Sequence, residues 1–133
     1  MISKSNILKI SLFATGLSGI VAEYVLATLA TYFLGNSVLQ WAMILSVMLF
    51  SMGLGSRLSQ YIHKNILEKF IIIEFLLSML VAFCVIIAYW ASAYASFNYE
   101  LAIFGFPFDG LVIYTMSVAI GLMIGLEIPM VTR

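Results

Sequence analysis

The sequence contains long apolar runs separated by short polar segments. There are four such runs, at about residues 10–34, 38–58, 68–92 and 110–131. Each is close to the ~20 residues that an α-helix needs to cross ~30 Å of hydrocarbon. The runs are continuous and do not alternate apolar with polar residues, which favours helices over strands. We therefore predict an all-α membrane protein, a four-transmembrane-helix bundle in which residues 1–133 form a single transmembrane domain.

The composition agrees with a membrane location. Hydrophobic residues make up 64% of the chain and charged residues 9%, whereas a soluble domain carries about 25% charged residues to cover its core. The formal net charge is zero, which argues against a nucleic-acid partner, because phosphates are bound by clustered Lys and Arg. The predicted environment is the lipid bilayer.

The positions of the cationic residues predict the orientation. Lys and Arg precede the first run, lie between the second and third, and end the chain, at Lys4, Lys9, Arg57, Lys64, Lys69 and Arg133. The connections at residues 35–37 and 92–109 contain neither residue. By the positive-inside rule, both termini are predicted to be cytoplasmic, and the aromatic 92–109 segment is predicted to be an outer loop on the membrane surface.

Small residues recur at helical spacing and predict where helices pack. Lipid provides no hydrophobic drive for helix association, so contacts depend on close approach at small side chains. The fourth run carries Ser117-xxx-Gly121-xxx-Gly125, and Gly16 and Gly19 share a helical face in the first run. We predict helix packing at Gly16, Gly19, Gly121 and Gly125. The pattern leaves open whether the partner helix is in the same chain or in a second copy of a homo-oligomer.

Acidic residues inside the apolar runs are the candidate functional groups. Glu23 falls near the middle of the first run, where an ionised acid costs ~2.5 kcal/mol or more. Glu74 and Glu127 lie closer to the predicted cytoplasmic side, at the level of Arg57. One hypothesis is a ligand or proton site at Glu23, Glu74 and Glu127, with a charge cluster of Arg57, Glu74 and Glu127. The alternatives are an acid that only holds helices together and side chains that separately reach the headgroups.

No residue pattern in the sequence indicates catalysis or a metal site. His63 is the single histidine, and Cys84 is the single cysteine and lies in an apolar run. Neither has a second ligand at the spacing that a zinc site requires. We predict no catalytic residue, no metal and no bound cofactor in this chain.

Short motifs in order along the chain resemble a known family. They are the runs 18–24 (SGIVAEY), 34–37 (LGNS), 52–57 (MGLGSR) and 125–129 (GLEIP). Together they are similar to the N-terminal transmembrane domain of the membrane-bound spermidine synthase-like (polyamine aminopropyltransferase) proteins. The resemblance implies that a cytoplasmic catalytic domain follows residue 133 in the parent protein. That domain would transfer an aminopropyl group from decarboxylated S-adenosylmethionine to an amine substrate. This chain alone would not catalyse that transfer.

The sequence leaves three functional hypotheses open. The first is a membrane-anchoring module that also handles a polyamine substrate. The second is a proton-coupled cation exporter that uses Glu23, because the segment 21–23 (VAE) also resembles the small multidrug resistance proteins. The third is a scaffold subunit that binds no ligand.

Overall fold

The computed structural model describes residues 4–61, 66–97, 102–103 and 106–132. Within these ranges the chain forms four long helices, with a 3-10 turn and two short strands between them: α1 (Lys4–Leu34), α2 (Ser37–Leu58), the 3-10 turn (Ser59–Tyr61), α3 (Ile66–Phe97), β1 (Ala102–Ile103), β2 (Phe106–Pro107) and α4 (Phe108–Val131). Each long helix contains a segment long and apolar enough to cross a membrane. The predicted all-α class with four candidate spans is confirmed. His63, Lys64, Arg133 and, within the predicted outer loop, residues 98–101 and 104–105 fall outside the described ranges.

The described parts of the connection between α3 and α4 have regular structure where a loop was predicted. Helix α3 continues to Phe97, because Ala and Ser are compatible with a helix and the Ser96 hydroxyl donates to the Ser92 carbonyl at 2.9 Å. Strands β1 and β2 then pair antiparallel. Helix α4 begins directly after Pro107, whose φ of −62° suits a helix start.

A tight turn of left-handed residues joins α1 to α2. Gly35 has φ +74° and Asn36 has φ +48°, and Gly35 N donates to the Thr31 carbonyl at 3.0 Å. The Asn36 side chain then accepts from Leu39 N at 3.4 Å at the start of α2. Glycine and asparagine tolerate this conformation better than other residues. The turn therefore sends α2 back alongside α1.

Contacts between helices show that consecutive helices run in opposite directions. The Leu34 side chain, at the end of α1, lies against Gly110 at the start of α4, so α1 and α4 are antiparallel. The rings of Phe33 in α1 and Tyr89 in α3 meet at 5.4 Å between centroids, while Thr15, much earlier in α1, bonds to Glu74 in α3. Hence α1 and α3 are parallel, and the chain is an up–down–up–down bundle.

Helix α4 is the central element of the bundle. It packs against α1, α2 and α3 and is the most buried of the four spans, whereas α3 is the most apolar and the least buried. The buried apolar core draws on all four helices, and its largest fully buried members are Leu26, Ile44, Met48, Ile113 and Ile120. Cys84 is also buried.

The closest helix contact is a parallel crossing of α2 and α4. A Cβ added at Gly121 would lie 2.7 Å from the Met48 carbonyl oxygen, and one at Gly125 would overlap the backbone of Met52. From α2, a Cβ at Gly55 would overlap the Leu122 carbonyl. The ridge of small residues in α4 therefore has its partner within the same chain.

The two glycines predicted for packing in α1 differ from each other. A Cβ at Gly19 would come within 2.8 Å of the Ile124 side chain, so α1 approaches α4 there. At Gly16 no described residue lies within 4 Å of such a Cβ, and Gly16 is exposed. Gly16 therefore borders open space instead of a neighbouring helix.

Two glycines of α2 offer a matched test of this crossing. We expect Gly55→Ala to lower the free energy of unfolding by about 1–3 kcal/mol, because the methyl group would force the backbones apart. Gly53→Ala, two residues away, has nothing within 4 Å and should be neutral or slightly stabilising. Reversible unfolding in mixed detergent micelles measures both. Equal effects would contradict the close crossing.

Candidate functional site

Helices α1, α2 and α4 border a cavity of about 380 Å³. Its walls are almost entirely apolar and its polar groups are Thr15, Glu23 and Glu127; the other lining residues are Leu12, Gly16, Gly19, Ile20, Met48, Leu49, Met52, Ile124 and Ile128. Gly16, which has no side chain, borders this space. The cavity therefore brings together two of the three acids that the sequence suggested.

Glu127 is the most deeply placed of these acids. It continues an apolar stripe of α4 at helical spacing, after Ile113, Ile120 and Ile124, all of which are buried. The Glu127 side chain is 0% exposed. Neither of its carboxyl oxygens has a hydrogen-bond partner among the residues that the structure describes. Burying a carboxyl group without a hydrogen-bond partner costs free energy. Packing alone therefore does not explain why Glu127 is buried.

Glu23 reaches the same cavity from α1. Its side chain is partly buried, and Gly19 lies one turn earlier on the same helix. Ser18 and Gln40, two polar residues of α1 and α2, form hydrogen bonds that do not involve Glu23. Ser18 donates to the Thr15 carbonyl at 2.8 Å, and Gln40 Oε1 accepts from the Tyr114 hydroxyl at 2.5 Å.

Glu74 lies on the other side of α1. It borders a second cavity, of about 340 Å³, between α1 and α3. The Thr15 hydroxyl donates to Glu74 Oε1 at 2.8 Å and lies 3.1 Å from the Ser11 carbonyl. The second oxygen, Oε2, is buried without a partner in the described part of the chain. Glu74 is also close enough to Glu127 to interact with it electrostatically.

Thr15 connects the two cavities. It is buried and lines both of them, and it lies near Glu127 although its hydroxyl proton is directed elsewhere. Sequence reasoning missed this residue. The available signal was the helical spacing of the hydroxyl residues Ser11, Thr15 and Ser18 ahead of Glu23.

Arg57 lies apart from the hydrogen bonds of the acids. Its side chain is exposed in the last turn of α2. The oxygens of Glu127 and Glu74 Oε2 have no hydrogen-bond partner among the described residues, so the guanidinium is not bonded to them. Long cationic side chains at helix ends extend toward water. The carboxyls of Glu74 and Glu127 lie near Thr15, and what the acids bind stays a prediction.

Thr15→Val tests the buried hydrogen bond to Glu74. We expect a loss of about 1–2 kcal/mol in the free energy of unfolding, because the substitution leaves the acceptor without its donor. Thr28→Val is the matched control, since its exposed hydroxyl bonds only to the Tyr24 carbonyl of its own helix. The control should change stability by less than about 0.5 kcal/mol. Unfolding in detergent micelles measures both, and a Thr15→Val variant as stable as the control would contradict the assignment.

The chain is similar to bacterial proteins over almost its whole length. It is 47% identical over 133 residues, 98% of the chain, to polyamine aminopropyltransferase 2 of Aquifex aeolicus. It is 35% identical over 126 residues, 95% of the chain, to the polyamine aminopropyltransferase of Leptospira interrogans. Polyamine aminopropyltransferase 1 of Streptomyces coelicolor is 31% identical over 93% of the chain.

These matches cover only a part of each relative. The chain spans 24% of the Aquifex protein, 23% of the Leptospira protein and 21% of the Streptomyces protein. No protein-family profile and no solved structure gives a significant match. The chain is therefore a four-helix apolar segment homologous to about a quarter of the length of polyamine aminopropyltransferases.

Proposed function

We propose that this chain is the N-terminal membrane domain of a polyamine aminopropyltransferase-like protein and anchors it to a bacterial inner membrane. The observation that carries the proposal is the 47% identity along 98% of the chain to a protein of which it covers 24%. An apolar segment of this kind needs only to stay in the bilayer to perform an anchoring role, and the candidate spans meet that need. Anchoring requires no catalytic residue in the segment itself.

We propose further that both chain ends face the cytoplasm. Because consecutive helices are antiparallel, the start of α1, the end of α2 and the start of α3 lie at one end of the bundle. These regions carry the described cations Lys9, Arg57 and Lys69, whereas the Gly35–Asn36 turn lies at the other end. Cytoplasmic segments are enriched in Lys and Arg. The end of α4 at Val131 then reaches the cytoplasmic side, where a following catalytic domain would be placed.

Aminopropyl transfer belongs, in this proposal, to the part of the protein beyond this segment. The chemistry implied by the resemblance uses decarboxylated S-adenosylmethionine and an amine acceptor. The support is that the matched relatives are about four times as long as the region they share with this chain. The membrane segment would hold that chemistry at the bilayer surface.

Cation export is a second candidate, favoured by one observation. Glu23 in α1 lines a cavity inside the candidate spans, as a proton-exchanging acid of a small multidrug resistance-like exporter would. The sequence motif shared with those proteins is short, at residues 21–23, whereas the similarity to the polyamine enzymes extends along the chain. Anchoring is therefore the function better supported.

Cysteine labelling tests the orientation at two exposed positions on either side of α2. In a Cys84→Ala background, Asn36→Cys should react with a membrane-impermeant maleimide in intact spheroplasts. Gln60→Cys should react only after the membrane is opened. The expected difference follows from the cations near Gln60 and their absence near Asn36. The reverse pattern, or equal labelling at both positions, would contradict cytoplasmic termini.

The size and location of the native gene product test the anchoring role. An antibody against a peptide of this chain should detect, in membranes of the source cells, a protein about four times the 14.8 kDa of the segment. The band should resist alkaline carbonate extraction, and aminopropyltransferase activity should sediment with it. A product of 14.8 kDa alone, or activity confined to the soluble fraction, would contradict the proposal.

A further inference from the structure

The cavity between α1, α2 and α4 combines a buried acid with an opening on the outer surface of the bundle. Ile20 and Leu49, at its edge, are each 64% exposed, while Glu127 in its wall is fully buried. We propose that this cavity binds an aliphatic primary amine, with the nitrogen on Glu127 and the hydrocarbon chain along the apolar walls. The choice of amines as the biological ligand rests on the proposed function, whereas the fit of the site to such a molecule does not.

The need for a donor at Glu127 is the first argument. Both carboxyl oxygens are buried and unpartnered among the described residues, and an ammonium group that meets them after a rotation of the Glu127 side chain into the cavity offers three N–H donors. A protonated amine would pair with the carboxylate, and a neutral amine arriving through lipid would take the proton of the carboxylic acid. Both routes end in the same ammonium–carboxylate pair, whose hydrogen bonds are charge-assisted.

The apolar lining is the second argument. The walls of the cavity include Leu12, Met48, Met52 and Ile124, and methionine side chains adapt readily to ligands of different shape. A hydrated Ca²⁺ or Mg²⁺ takes six or more oxygen ligands, whereas this cavity presents two carboxyls and one hydroxyl. The volume of about 380 Å³ is at the lower end of the range for small-molecule sites. An unbranched alkyl chain matches this lining better than a metal ion does.

The second carboxyl in the cavity favours a ligand with more than one nitrogen. Glu23 lines the same space from α1, so a diamine could place one nitrogen on Glu127 and the other toward Glu23. A dissolved polyamine and an ethanolamine lipid headgroup share this amine chemistry. The two sources differ in their route, since one enters from water and the other from the bilayer.

Binding of radiolabelled n-octylamine to the full chain tests the proposal. The chain is reconstituted in nanodiscs of phosphatidylcholine, whose headgroup lacks N–H donors, and empty nanodiscs give the background from partitioning into lipid. We expect Glu127→Gln to weaken binding by about tenfold or more, because it removes the charged acceptor. Octanol has the same alkyl chain without the amine. It should compete only weakly with octylamine for the cavity, and equally weakly in the wild type and in the Glu127→Gln variant.

A second pair of variants leaves Glu127 unchanged. Gly16→Leu should fill the open space beside the cavity and also weaken binding by about tenfold. Gly53→Leu adds the same side chain at a position with nothing within 4 Å and outside the cavity, and should bind as wild type does. This pair tests the site even if Glu127→Gln does not fold. Equal octylamine binding by wild type, Gly16→Leu and any folded Glu127→Gln would overturn the proposal.

Competition identifies the source of the amine. Displacement of octylamine by spermidine or putrescine supports a dissolved polyamine, and displacement on adding phosphatidylethanolamine to the nanodiscs supports a lipid headgroup. If neither displaces octylamine, the proposal that the biological ligand is an amine is overturned. The anchoring proposal is tested separately by labelling and membrane fractionation, so a failure of amine binding would leave it intact.

Discussion

The backbone contact between α2 and α4 is the constraint on which the rest of the bundle depends. Gly55, Gly121 and Gly125 let the two helices approach until backbone meets backbone, and any larger side chain there would collide with a carbonyl group. With one face of α4 fixed against α2, the stripe that ends at Glu127 is covered by α1, and α3 completes the enclosure. The central position of α4, and hence the burial of its acid, follows from three residues without side chains.

Within the candidate spans, the polar groups differ sharply in how they are satisfied. Gln40 and Tyr114 bond to each other across α2 and α4, and Thr15 bonds to Glu74 across α1 and α3. Such pairs hold helices together where lipid provides no hydrophobic drive. Glu127 is more deeply buried, and both of its oxygens lack a partner among the described residues, whereas Glu74 lacks one only for Oε2. This contrast separates the structural polar pairs from the acid for which a ligand is proposed.

Much of the fold could be predicted from sequence because hydropathy and length determine candidate spans directly. The packing partners could not be predicted, since a small-residue ridge looks the same whether it faces its own chain or another. Gly16 and Gly125 illustrate this, because both belong to plausible packing patterns but one borders open space and the other a backbone. The extension of α3 to Phe97 was missed for a related reason, as Ala and Ser suit both helix and loop.

The acids of the site could likewise be predicted only in part: the residues could be identified, but not how they are grouped. Glu23, Glu74 and Glu127 could be identified because charged residues are rare in apolar runs. Their grouping depends on which helix faces pack against each other. Sequence periodicity shows which residues share a face of one helix, but not which faces of different helices pack together. Thr15 was overlooked since hydroxyl residues commonly bond to their own helix, and only the arrangement of α1 beside α3 brings it to Glu74.

The parallel contact of α2 and α4 also has a consequence for biosynthesis. These helices are separated in the chain by α3 and the β1–β2 connection, so their glycine faces cannot meet until the third helix has been translated and inserted. The α1–α2 hairpin emerges from the ribosome earlier with that face uncovered. The helix that occupies the centre of the bundle and covers that face is therefore the last one to be translated.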